Sequence, residues 1–276
     1  MKISKAIETI INCYSGIGKD GNQISPESTR DQILYGNPNQ DCTGIVITCF
    51  ASIEVIQKAI NENANLIICH EALFWNRGDE TEWLSNNTTF QKKKTLLDEH
   101  NIVVWRNHDY IHSGIKINDT YVDGIFYGLI QHLQWQDMMI SELEFEFNNV
   151  SLNTISSHLI SKLGLNGLRI VGATDNNINK LKIAGHVMGN DNRFITEMDE
   201  ENIDAYIVLE LVDYTLSEYV RDSTQLGITK SLISVGHFNL EEYGMAYMLE
   251  YMPSTITDTI HCSYVQSGDT FSYQLK

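Results

Sequence analysis

Leu66-Ile67-Ile68-Cys69-His70-Glu71-Ala72-Leu73-Phe74-Trp75 begins as an unbroken apolar run and then presents two adjacent metal-capable side chains. A short run of this kind reads as a strand buried on both faces. His70 and Glu71 at its end are costly to bury unless something pairs with them. Upstream, Gly44-Ile45-Val46-Ile47-Thr48-Cys49-Phe50 is a second such strand, and Ser52 can cap a helix running to about Ala64. Strand, helix and strand in this order form a βαβ unit, so the two strands lie parallel and His70 falls at the carboxyl edge of their sheet. Downstream, a helix carrying Lys92, Lys93 and Lys94 leads to the strand Ile102-Val103-Val104-Trp105 and extends the repeat. The lysine run reads as a solvated helix face.

Two further apolar runs end as the first does. After Ile102–Trp105 come Arg106, His108, Asp109 and His112; after Leu232-Ile233-Ser234-Val235-Gly236 come His237 and Glu241. Ligands of open α/β sheets bind beyond the carboxyl ends of the strands, so these three ends are expected to aim their donors into one crevice. A mixture of imidazole and carboxylate without thiolate suits zinc, iron, manganese or nickel and argues against a closed structural zinc centre. Five or more donors favour two ions over one, and a pair of ions polarises phosphoryl or carbonyl oxygens.

Each candidate also has a plainer role. A lone histidine at a strand end is more often a hydrogen-bonded structural residue. Glu241 in a first helical turn can complement the helix dipole. Asp109 reads equally as a turn residue and His112 as a loop residue. The argument for a site is coincidence: four of the nine histidines follow these three runs, each with a carboxylate within four positions. His100, His132, His158 and His261 read as structural, and His186, after an apolar run, as a core or interface residue.

The rest of the chain sets the frame. Residues 3–14 repeat at helical spacing, and 118–135 form another amphipathic helix with Tyr121, Ile125, Leu129 and Leu133 on one stripe. Alternation in Leu143-Glu144-Phe145-Glu146-Phe147 marks a half-exposed strand. It opens a second α/β region with a helix at 151–163, strands near 167–173, 180–188 and 204–211, and a helix at 213–225. Asn239 with Glu242 suggests a capping box before a helix at 240–251. The expected fold class is α/β with two α/β domains. The first, 1–136 plus 228–276, is made by both chain ends around a largely parallel sheet, and 137–227 is inserted. No phosphate-cradling GxGxxG or GxxxxGK occurs.

A net charge of −17 repels nucleic acid phosphates over most of the surface. Five cysteines without CxxC spacing point to reduced, mostly buried thiols and a cytoplasmic setting. No apolar segment reaches membrane-spanning length.

The three ordered motifs, His70-Glu71-Ala72, His108-Asp109-Tyr110-Ile111-His112 and Gly236-His237-Phe238-Asn239-Leu240-Glu241, resemble those of the NGG-one-interacting-factor-three family of dinuclear metal-centre proteins. The segment from Asp204 to Glu210 keeps the family's order before the last motif. The resemblance implies metal ligands His70, Glu71, His112, His237 and Glu241, with Glu241 bridging and His108 a further ligand or a support for one. Glu71 stands where the family commonly has a second histidine, and His112 where it commonly has aspartate; the two exchanges leave the summed donor set unchanged. It further implies two divalent metal ions (zinc, iron, manganese or nickel), assembly as a toroidal homohexamer, and a label of GTP cyclohydrolase type 2 homologue.

Three functions follow as expectations. The first is a metal-dependent hydrolase acting on a phosphate ester or nucleotide-like small molecule, with Glu71 or Asp109 as base. The second is a GTP cyclohydrolase, and the third a non-enzymatic metal-binding or regulatory ring.

Overall fold

A computed structural model describes residues 1–76 and 79–274. The chain forms two compact units: Met1–Gly128 with Glu241–Ser267, and Leu129–Leu240 with the residues from Gly268 on. In chain order the strands are β1 (Ile33–Tyr35), β2 (Gly44–Ile47), β3 (Leu66–Cys69), β4 (Val103–Arg106), β5 (Ile115–Ile117), β6 (Thr120–Val122) and β7 (Met139–Ser141). They continue as β8 (Glu144–Ser151), β9 (Arg169–Gly172), β10 (Asn177–Gly185), β11 (Ala205–Val208), β12 (Ser231–Ser234) and β13 (His261–Tyr264).

The first unit holds a sheet of order β1-β4-β3-β2-β13. β13, β2, β3 and β4 run parallel, and β1 closes the β4 edge antiparallel. Every residue of β2, β3 and β4 is buried, which is why their sequences are apolar without alternation. Successive side chains still part to opposite faces. Ile45, Ile47, Leu66, Ile68, Val103 and Trp105 pack on one side with Ile3, Ala6, Ile7 and Ile10 of the helix Ile3–Ile11. Val46, Ile67, Cys69 and Val104 pack on the other with Val55, Ile56 and Ala59 of the helix Ile53–Asn61. Ser52 caps that second helix by accepting from Val55 N, as its sequence predicts.

The amphipathic stretch 118–135 is not helical from its start. Asn118 and Asp119 both have positive φ and form the two-residue turn of a β5–β6 hairpin, so the helix spans only Gly124–Leu133. Lys93 is likewise not on a solvated face. It is buried, donates to the Leu73 carbonyl at 2.8 Å and lies over the rings of Phe50, Phe74 and Trp75. Burial lowers its ammonium to about 8.

In the second unit the sheet order is β7-β8-β10-β11-β12-β9, with β10, β11 and β12 adjacent and parallel. Sequence alone groups the strand before His237 with the first domain. In the structure β12 pairs with β11 and β9, so backbone hydrogen bonds place it in the second sheet. The helix expected at 240–251 begins at His237. Asn239 therefore sits inside it and donates to Val235 O, and Glu242 accepts from Ser267 N instead of closing a capping box. The helix Asp191–Glu200 has no counterpart in the sequence reading.

No helix among the described residues is long and apolar enough to cross a membrane. The five cysteines are all free, and Cys42, Cys49 and Cys69 are buried.

Candidate metal centre

β3 delivers His70 to the carboxyl edge of the first sheet, where its backbone N–H donates to Cys49 O and its side chain is fully buried. Nδ1 lies 3.0 Å from the Asn107 carbonyl, which can only accept, so Nδ1 carries the proton and Nε2 presents a lone pair. Nε2 is buried, makes no hydrogen bond among the described residues, and stands 3.7 Å from Glu241 Oε2. Burial drives the imidazole down to about 3 against the opposing pull of Glu241, with His108 and His112 lowering it further. His70 is therefore neutral, as a ligand must be.

β4 and the short helix Asp109–Ser113 supply two more rings. His108 stacks on His70 at 4.4 Å between centroids, and His112 meets both edge-on at 5.1 and 5.0 Å. Asp123 Oδ2 accepts from His112 Nδ1 at 2.8 Å, so a carboxylate orients this ring as the Asn107 carbonyl orients His70. His108 is held on both sides, by Asp109 at Nδ1 and by the Arg30 guanidinium, which donates to Nε2 at 3.1 Å.

Two donor groups overlap on His70. One atom each of His70, His108 and His112 lie within 4.8 Å of one another, and the same holds for His70, Glu71 and Glu241. Asp109 is in neither group. Its carboxylate accepts from Arg30 N and Nε, Thr29 Oγ1 and His108, and although burial opposes it these contacts hold the carboxyl far below its ordinary value. Such a group is a poor proton acceptor and a good positioning one.

His237 is held by Glu210. Its Nδ1 donates to Glu210 Oε1 at 2.7 Å, His186 Nδ1 donates to the same oxygen at 3.0 Å, and these three residues form a third donor set. Burial raises the Glu210 carboxyl, but the hydrogen bonds from His186 and His237 outweigh it and bring it down to about 2. His186 is exposed and not in a core, because β10 ends at Gly185 and releases the next residue to solvent.

Several residues that build the site carry no signal in the sequence. Asp31 is buried and accepts from the backbone N–H groups of His108 and Asp109 at 2.8 and 2.6 Å, which fixes the turn presenting both. Asn107, Asp123, Arg30 and Glu210 act through partners 11 to 78 positions away in the chain. His132 and His158 bond backbone carbonyls, as structural histidines do.

The chain is 23% identical over 217 residues to the "GTP cyclohydrolase 1 type 2 homolog" of Clostridium acetobutylicum, covering 76% of each. Its fold is similar to that of a Bacillus cereus protein related to NIF3, with a TM-score of 0.72, 13% identity and 99% of both chains covered. It also resembles reduced HcgD from Methanocaldococcus jannaschii, with a TM-score of 0.62, 16% identity and coverage of 96% and 97%. The profile of the Duf34/NIF3 (NGG1p interacting factor 3) family matches residues 31–268, and the chain belongs to that family.

Proposed function

We propose that this protein is a metal-dependent hydrolase of small phosphate esters, with a dinuclear centre built on the first sheet. His70, Glu71, His112 and Glu241 would hold the ions, with His108 a further donor. The observation that carries this reading is His70 Nε2: a desolvated ring nitrogen, forced into the acceptor tautomer, with no hydrogen bond among the described residues and acidic and imidazole donors around it. Leaving such an atom unmatched in a core is costly, and a cation matches it. Divalent ions held there supply Lewis acidity and lower the pKa of a coordinated water.

The protein's own groups account for the rest. Asn107 and Asp123 fix the tautomers of His70 and His112, and Asp31 holds the turn that carries His108. Glu71 lies in the donor group beside His70 and is placed to take a proton. Asp109, occupied by Arg30 and Thr29, is not assigned that role. The exposed Arg30 guanidinium at His108 offers planar donors suited to a phosphate, which favours an anionic ester over a neutral substrate. His237, which the family resemblance adds to the ligands, is engaged through Nδ1 by Glu210.

The test is metal-loaded protein against a phosphoester panel that includes GTP, the nucleotide in the name of the Clostridium relative. Metal-stimulated cleavage is expected, falling about a hundredfold or more in His70→Ala with the fold retained by circular dichroism. A metal-loaded protein inert across the panel overturns the hydrolase. Conversion of GTP to a pterin precursor would make it a cyclohydrolase instead. Assembly as a homohexamer is tested by sedimentation of the same sample.

A further inference from the structure

Arg106 ends β4, and its guanidinium lies buried between two segments that are far apart in the chain. Nη1 donates to Asp79 Oδ2 at 2.6 Å, and Nε donates to the Arg30 carbonyl at 2.5 Å. The side chains of Arg106 and Asp79 are only 7% and 9% exposed, so this ion pair is desolvated. Each segment leads to a donor of the centre at His70. On one side, Asp79 Oδ1 accepts from Leu73 N at 2.8 Å, and the buried Lys93 donates to the Leu73 carbonyl at 2.8 Å. Leu73 is thus held at both its N–H and its carbonyl, two residues after Glu71. On the other side, Arg30 donates from its backbone and from Nε to Asp109, and from Nη1 to His108.

We propose, on the footing of the metal centre at His70, that Asp79 and Arg106 are positioning residues which fix Glu71 relative to His108. The guanidinium is a rigid fork, so serving two acceptors at once sets the spacing between the segments that bear them. A lysine at this position is a single point charge and cannot hold both. Removing the Asp79 charge leaves Arg106 buried without its counter-ion, which frees the loop after Glu71 to shift. Metal ligands tolerate little displacement, and loss of the groups that orient them typically weakens metal binding tenfold to a hundredfold.

The experiment measures zinc affinity of the full chain by competition with a chromophoric chelator, with folding checked by circular dichroism. Wild type, Asp79→Asn, Arg106→Lys, Glu71→Gln, His70→Ala and the Asp79→Asn/Glu71→Gln double variant are compared. Lys182→Met, which removes an ion pair with Glu197 from the second sheet, is the control for lost stability alone. Asp79→Asn and Arg106→Lys should each weaken zinc binding about tenfold or more, and Lys182→Met should leave it unchanged. Because Asp79 acts through Glu71, Asp79→Asn should add no more than about twofold to the loss in Glu71→Gln. Should one of the two variants fail to fold, the other carries the same test. Wild-type affinity in Asp79→Asn or Arg106→Lys, or full multiplication of the Asp79→Asn and Glu71→Gln losses, overturns the proposal. Failure of the centre itself reads differently: wild type then binds no zinc, or His70→Ala and Glu71→Gln bind it as tightly as wild type, and the positioning role falls with it.

Discussion

His70 shows what burial does to a single residue. Its folded pKa of about 3 lies below the 6.5 of the unfolded chain, so the unfolded state takes up its proton first as pH falls. The stability this neutral ring permits is fully present above pH 6.5 and is lost as pH drops toward 3. In chelator-treated protein the loss should approach about 1.4 kcal/mol per pH unit across that window. Urea unfolding at stepped pH checks this, and His70→Asn should flatten the slope. Asp31→Ala is a second case, because it strands two backbone donors in a buried turn. It should cost about 1–3 kcal/mol in denaturant unfolding and weaken metal binding, since the ring of His108 moves with that turn. At this scale the sequence displays the donors His70, Glu71, His108, His112 and Glu241, because they follow apolar strands in order. It hides Asp31, Asn107 and Asp123, whose partners are set by folding alone.

At the scale of elements, the helix bearing Glu241 is seated by two glycines. A Cβ on Gly244 would stand 2.3 Å from Ile125 Cα, and one on Gly128 would stand 2.8 Å from Gly244 Cα. The helices Gly124–Leu133 and His237–Tyr251 therefore touch backbone to backbone at this crossing. Gly244→Ala must push them apart at a cost of about 1–3 kcal/mol, and because Glu241 lies one turn before it, metal affinity should fall as well. Thermal unfolding and metal titration of the same variant check both outcomes. The βαβ unit from Gly44 to His70 was legible in sequence because burial on both faces demands continuous apolar runs. The hairpin at Asn118-Asp119 was not, because its apolar residues fit a helical stripe equally well and only the positive φ of both turn residues decides for a strand.

On the scale of the whole molecule, each unit carries parallel strands whose carboxyl ends present nitrogen and oxygen donors, over a background of excess negative charge. An ion that binds only the folded state stabilises it by mass action, about 2.7 kcal/mol at a hundred times its dissociation constant. Adding zinc to chelated protein should raise the unfolding midpoint by several degrees, and removing it should reverse the change, as calorimetry would show. The raise should be smaller in His70→Ala. What the sequence determined by itself is the α/β class and the residues that end the strands, because burial dictates apolar runs and runs must stop where donors begin. What tertiary structure alone decided is which donors meet: β12 joins the second sheet through hydrogen bonds to β11 and β9, and His237 thereby comes to share Glu210 with His186. Strand pairing is a contact between distant parts of the chain, so no local pattern of residues encodes it.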